Sequence, residues 1–299
     1  MSEGGIDWAR TLFLLVAPDG VARHASLPVL QRLREAGFAP RRYLMTRVHS
    51  GQADRLHEVN IRERWHVYRY RAIDQLFGFG PCLVLLLEDE RPSPAGTSHL
   101  RLRQLKGDSQ PGRAAAGTIR GDLGMVNALL AVIHSSDSAA DAEREACVFF
   151  GGASTFEGLL GRPANDLEAF CHTWNAGHPR EDRRHAEVVS QFRFRLASAF
   201  WSHLDPDGRA RLRDLEDAGP AAAAAPGVGA HLAEHLAAGV PAPCRDLLAA
   251  DFRSGSPAPD LREHLPLLAA HGVEVDRWEE LVLTTSCLFP VPEPAGGAG

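Results

Sequence analysis

"TLFLLVAPDGVARHASLPVLQRLREAG" (residues 11–37) decides how the first half of the chain is built. Residues 11–16 form a short apolar run that ends in "PDG", so they read as a buried strand closed by a turn. In "SLPVLQRLREAG" (26–37), Leu27, Val29, Leu30 and Leu33 recur at helical spacing and a glycine closes the run, so it reads as a capped helix. Working outward, "FAPRRYLMTRV" (38–48) reads as a partly exposed strand and "GQADRLHEVNIRER" (51–64) as a helix. "PCLVLLLED" (81–89) reads as a second buried strand and "ACVFF" (146–150) as a third.

Strands alternating with helices imply an α/β (α+β) sandwich, and the order resembles a ferredoxin-like βαββαβ unit, an antiparallel sheet carrying helices. After "FFGGAST" the signals become mainly helical. In "HAEVVSQFRFRLASAFWSHL", Val188, Phe192, Leu196, Ala199 and Phe200 form one apolar stripe, the core face of a helix. The expected organisation is an N-terminal tail (1–9), the α/β domain (10–152), a helical region (153–218), an Ala/Pro/Gly linker (219–230), a second helical region (231–289) and a disordered tail (290–299).

Composition narrows the function. The chain of 299 residues is 44% hydrophobic and 23% charged with a net charge of -6, which fits a globular protein and gives no basic footprint for nucleic acid. No run approaches transmembrane length, and no signal-peptide pattern opens the chain, so no membrane partner is expected. Cys82, Cys147, Cys171, Cys244 and Cys287 are scattered and read as reduced thiols, which points to the cytoplasm.

Three segments carry a resemblance: "TLFLLVAPDGV" (11–21), "RQLKGDSQPGRAAAGTIRGD" (103–122) and "IHSSDSAADAEREACVFF" (133–150). Residues 10–150 resemble a nucleoside diphosphate kinase domain. The first segment is similar to that family's opening strand and K-P-D-G-V turn. The second is similar to its phosphate-binding segment, and the third to its H-G-S-D-S nucleophile segment with a glutamate eleven residues after the histidine. The resemblance implies ping-pong transfer of a γ-phosphoryl group through phospho-His134, with ATP or another nucleoside triphosphate as donor and Mg²⁺ arriving with the nucleotide. It also implies a homo-oligomer. By the same resemblance Glu145 is expected to orient the nucleophile, with Ser136 beside it, and Arg103, Ser109 and Arg120 to bind phosphate.

The residue chemistry agrees. A phosphoryl group in transfer spreads negative charge over its oxygens and needs positioned cations and donors. Arginine forks supply these, and a neutral imidazole is a competent nucleophile once a partner fixes its tautomer. Three departures stand out. Ala17 occupies the position of the family's turn lysine, and Lys106, the only lysine in the chain, is one candidate for the missing cation. The family's tyrosine after His57 is Glu58. The family's ribose-contacting asparagine aligns with Ala131, with Asn127 as a candidate replacement. Tyr68 and Tyr70 are the candidates for stacking on the base.

"HLAEH" (231–235) fits a zinc pattern but has no evident third ligand, so it reads as a solvated helix face. The expectation is a divergent phosphotransferase of the nucleoside diphosphate kinase type. The alternative is a degenerate nucleotide-binding scaffold that recruits a protein partner through its helical C-terminal half.

Overall fold

The computed structural model describes residues 5–58, 67–94, 96–256 and 260–292, and only the backbone of residues 67–71. The chain divides into two compact units, residues 1–125 with 130–182 and residues 126–129 with 183–299.

The first unit runs β1 (Thr11–Val16), α1 (Pro18–Ala22), α2 (Ser26–Glu35), β2 (Phe38–Thr46), α3 (Ser50–Leu56), α4 (Val67–Phe79), β3 (Cys82–Asp89), α5 (Ser98–Lys106), α6 (Ile119–Leu123), β4 (Ile133–Ser135), α7 (Ala139–Phe150), β5 (Arg162–Pro163) and α8 (Leu167–Gly177). Its sheet has the order β4-β1-β3-β2-β5, and every pairing is antiparallel. The first four strands in that order, with α2 and α5 as connections, make the ferredoxin-like arrangement expected from the sequence.

β1 is buried throughout because both faces of the sheet are covered, which is why it reads as an unbroken apolar run. Leu12, Leu14 and Val16 pack with Leu83, Leu85 and Leu87 against Val29, Leu30 and Leu33 of α2 and Leu167 and Cys171 of α8. Phe13 lies on the other face and stacks on Phe149 of α7, with ring centroids 5.6 Å apart. Each such fully buried side chain contributes about 1.5–3 kcal/mol.

"ACVFF" (146–150), read as a strand, is instead the last part of α7. Ser138 caps that helix by accepting from the Asp141 amide, and Ala142, Glu145, Ala146, Phe149 and Phe150 recur at helical spacing on its buried face. A short apolar run looks the same in a strand and in a buried helix, and here the cap and the longer period decide. The fourth strand is the three-residue β4 instead. Glu145 therefore stands on a helix, and His134 on a strand. Of the helix read at 51–64, α3 is observed, and residues 59–66 lie outside the described residues.

The second unit is helical: α9 (His185–Ala199), α10 (Pro206–Ala218), α11 (Pro220–Ala223), α12 (Val228–Glu234), α13 (Ala242–Ala249), α14 (Leu261–Ala270) and α15 (Arg277–Ser286). Val188, Phe192, Leu196 and Phe200 are buried as the stripe implied, while Ala199 is exposed and Ala197 takes the inward position. The stretch 219–230, read as a linker, is folded. It contains α11 and the start of α12, and Ala223 is buried. Arg193, 1% exposed, anchors it by donating to the carbonyls of Ala223 and Ala225, and it reaches the Ala250 carbonyl as well. Of the tail read at 290–299, residues 293–299 lie outside the described residues. No helix among the described residues is long and apolar enough to cross a membrane, and all five cysteines are free.

Candidate active site

His134 sits at the centre of β4, opposite Leu15 of β1, on the same sheet face as Phe13 and Phe149. Three residues cannot hold a strand in place by ladder bonds alone, and further clamps act on the segment just before the histidine. Asp19, at the start of α1, is fully buried and accepts the Val132 amide at 3.0 Å; burial raises its pKa above the usual carboxylate value. The Ala17 amide donates to the Val132 carbonyl at 2.9 Å. Gly20 completes the "PDG" turn because a Cβ there would lie 2.6 Å from the Val132 carbonyl oxygen. Val132 itself adopts φ 69, a left-handed conformation that costs a β-branched residue about 1–3 kcal/mol and persists only where its surroundings enforce it.

Arg120, from "GTIRGD", supplies the next clamp. Its Nε donates to the Ala131 carbonyl at 3.3 Å, Nη1 to Gly107 at 3.1 Å and Nη2 to Ile133 at 2.8 Å. Burial lowers its pKa to about 10, so it remains a cation at neutral pH. Three of its five N–H groups thus hold backbone, two at the segment just before His134 and one at Gly107, and one N–H on each terminal nitrogen remains for an oxygen ligand. Arg103 and Ser109 are exposed and make no side-chain hydrogen bond among the described residues.

The partners of His134 converge. Glu145 Oε2 lies 3.1 Å from His134 Nε2 and accepts from Ser136 Oγ at 2.8 Å. Its Oε1 takes a 3.3 Å bond from Arg144, which also donates to Asp141 and to the Arg55 carbonyl. Glu145 is buried, while the His134 side chain is 29% exposed. A carboxylate can only accept, so with Glu145 as its partner a neutral imidazole here would carry its proton on Nε2 and leave the Nδ1 lone pair available. The ring of His57 stands 5.7 Å from that of His134. Burial lowers the His57 pKa to about 3, with His134 and Arg144 adding to the shift, so it is a neutral neighbour. The structure therefore brings His134, Glu145 and Ser136 together. Arg144 as a third contact to Glu145 was missed, although its place immediately before Glu145 could have suggested it.

A family model described as nucleoside diphosphate kinase matches residues 10–154. A nucleoside diphosphate kinase of Dehalococcoides mccartyi is 33% identical over 141 residues, covering 47% of this chain and 91% of the relative. One from Streptomyces avermitilis is 31% identical over 148 residues, covering 48% of this chain and 96% of the relative. The chain belongs to the nucleoside diphosphate kinase family. Among solved structures, a nucleoside diphosphate kinase of Aquifex aeolicus is 26% identical and covers 49% of this chain and 98% of its own, with a TM-score of 0.42. The family match lies in the first half of the chain, and the C-terminal extension beyond it is helical.

Against that family pattern, Ala17 and Ala131 offer no side-chain donor. Asn127 does not replace the amide expected at Ala131. It is fully buried in the second unit, where Nδ2 donates to Thr285 Oγ1 at 2.8 Å and Ser286 Oγ at 3.1 Å and Oδ1 accepts the Leu129 amide. Glu58 is exposed, and the side chains of Tyr68 and Tyr70 lie outside the described residues. In "HLAEH", His235 Nδ1 lies 3.0 Å from Asp205, and the His231 and His235 rings are 4.9 Å apart. Among the described residues no group of three or more His, Cys, Asp and Glu could hold a metal ion.

Proposed function

We propose that this chain is a nucleoside diphosphate kinase-type phosphotransferase that works through His134. In the first half-reaction, Nδ1 attacks the γ-phosphorus of a nucleoside triphosphate. The N–P bond forms as the bond to the bridging β–γ oxygen breaks, and a nucleoside diphosphate leaves. In the second, a terminal β-phosphate oxygen of an acceptor diphosphate attacks the phosphorus, the N–P bond breaks and the imidazole is restored. Its Nε2 proton stays in place through both steps, because Glu145 holds it. The ring gains positive charge as Nδ1 is phosphorylated, and the buried carboxylate 3.1 Å away stabilises that charge without reorganising. Arg103, Ser109 and the two uncommitted N–H groups of Arg120 are the proposed donors to phosphate oxygens. Mg²⁺ enters with the nucleotide as part of the substrate. The proposal includes a cytoplasmic setting and self-association, both expected of the family.

The observation that carries this reading is the His134–Glu145–Ser136 constellation, because it leaves one nitrogen of the partly exposed edge-strand histidine as nucleophile. Incubation of the whole protein with γ-labelled ATP and Mg²⁺ should give an acid-labile label that is absent in His134→Ala and discharges on adding a nucleoside diphosphate. Absence of label in a protein that still binds nucleotide would refute the kinase reading and leave the scaffold alternative.

A further inference from the structure

Lys106 ends α5 in a setting unlike that of an ordinary surface lysine. Its residue is 7% exposed, and its Nζ donates to the Ser135 carbonyl at 3.3 Å, directly beside the nucleophile in sequence. An ammonium has three N–H donors, and burying it without partners is costly. The nearest acid, Asp137, lies at 3.6 Å and is itself 63% exposed. The groups that act on Lys106 electrostatically are Arg120 on α6, Asp137 after β4 and Glu145 on α7. Glu145 is already engaged by His134, Ser136 and Arg144. Two cations, Lys106 and Arg120, thus converge around β4, with Asp137 acting on both and Asp108 and Asp19 acting on Arg120, and both keep unused N–H donors.

Like charges brought together in a buried place repel, and the arrangement is favourable when an anion completes it. Resting on the phosphotransferase reading above, we infer that Lys106 is a catalytic cation of this site, donating from Nζ to the oxygens of the phosphoryl group as it moves to and from His134. Ala17 and Lys106 both sit against the β4 segment, Ala17 through Val132 and Lys106 through Ser135. The charge missing at the first position is thus supplied from the second. Burial, reinforced by Arg120, lowers the Lys106 pKa to about 8, so the charge is present at neutral pH and titrates just above it.

The test uses the full-length protein with Lys106→Met, which keeps the buried volume and removes the charge, and Lys106→Arg, which keeps a charge at all accessible pH. Single-turnover labelling of His134 from γ-labelled ATP should slow about 10²–10³-fold in Lys106→Met. In the wild type, labelling at low ATP should fall as pH rises through about 8. Lys106→Arg should recover rate and lose that alkaline limb. In equilibrium dialysis Lys106→Met should weaken ATP binding while leaving adenosine binding unchanged, and thermal unfolding should show the variant no less stable than wild type.

Wild-type labelling in Lys106→Met, or equal loss of ATP and adenosine binding, would overturn the inference. If the wild-type protein takes no label, the phosphotransferase reading falls and so does the catalytic role. The dialysis comparison then decides whether Lys106 is a phosphate ligand at all.

Discussion

Replacing Glu145 by glutamine changes one atom and removes one charge from the centre of the site. The glutamine side chain keeps an oxygen that can accept from His134 Nε2 or Ser136 Oγ, at the 3.1 and 2.8 Å that Glu145 now spans. It also turns an amide N–H₂ toward Arg144, which now donates to Oε1 at 3.3 Å. Hydrogen bonds to charged groups contribute about 1.5–3 kcal/mol against about 0.5–1.5 kcal/mol for neutral ones. The ring becomes cationic only as Nδ1 takes the phosphoryl group, so the lost difference of about 1–1.5 kcal/mol falls on the transition state and not on the resting histidine. At 1.36 kcal/mol per decade, labelling of His134 should slow about tenfold. Glu145→Ala also releases the tautomer and ring orientation, and should slow labelling about 10²–10³-fold.

The assay is rapid-quench labelling from γ-labelled ATP, with thermal unfolding as the control for lost packing around Arg144 and Ser136. A second readout is independent of rate: NMR of the phosphorylated protein should place phosphorus on Nδ1, because Nε2 is held by the carboxylate. Labelling of Glu145→Gln within twofold of wild type, or phosphorus on Nε2, would refute the reasoning.

Gly20→Ala would put a Cβ 2.6 Å from the Val132 carbonyl oxygen and 2.9 Å from Val16 Cγ1, and a backbone oxygen cannot rotate away. It should cost about 1–3 kcal/mol in denaturant unfolding and slow His134 labelling, through displacement of the Asp19–Val132 clamp; unchanged stability would count against that clamp. In the second unit, His185 is buried and bonded through Nε2 to the Phe252 carbonyl, and burial lowers its pKa to about 4 from 6.5. Between those values the unfolded chain binds more protons than the folded one, so stability should fall as pH drops from about 6.5 to about 4. His185→Gln should flatten that dependence in urea titrations across the window, and an unaltered slope would show that the group is not the source.

The parts legible in the sequence are those that chemistry ties to residue type and spacing. A phosphoryl-transfer nucleophile needs an imidazole, an orienting carboxylate and nearby cations, and the run from His134 to Glu145 carries the first two in one segment. What could not be read is what depends on partners far away along the chain. Residues 219–230 look like a linker because alanine, proline and glycine have little to bury, yet Arg193 supplies the donors that hold their carbonyls. Asn127 looks like a spare amide beside the nucleophile, but its partners are Thr285 and Ser286, about 160 residues on. The strand assigned to 146–150 failed for a local reason, since five apolar residues have no period of their own and the cap eight residues earlier settles the helix.

Arg120 shows why a matching motif is not yet a matching role. In "GTIRGD" it reads as a phosphate fork, whereas its nitrogens hold the carbonyls of Ala131, Gly107 and Ile133. Holding Ala131 and Ile133 keeps the strained Val132 in its left-handed conformation and points β4 at the site, so this arginine acts on the histidine before it touches a ligand. A cation spent largely on backbone carbonyls has fewer N–H groups to give an incoming phosphate, and Ala17 adds none. The proposed site then depends on other donors, and Lys106, buried against the Ser135 carbonyl one residue past His134, is the cation inferred for that role.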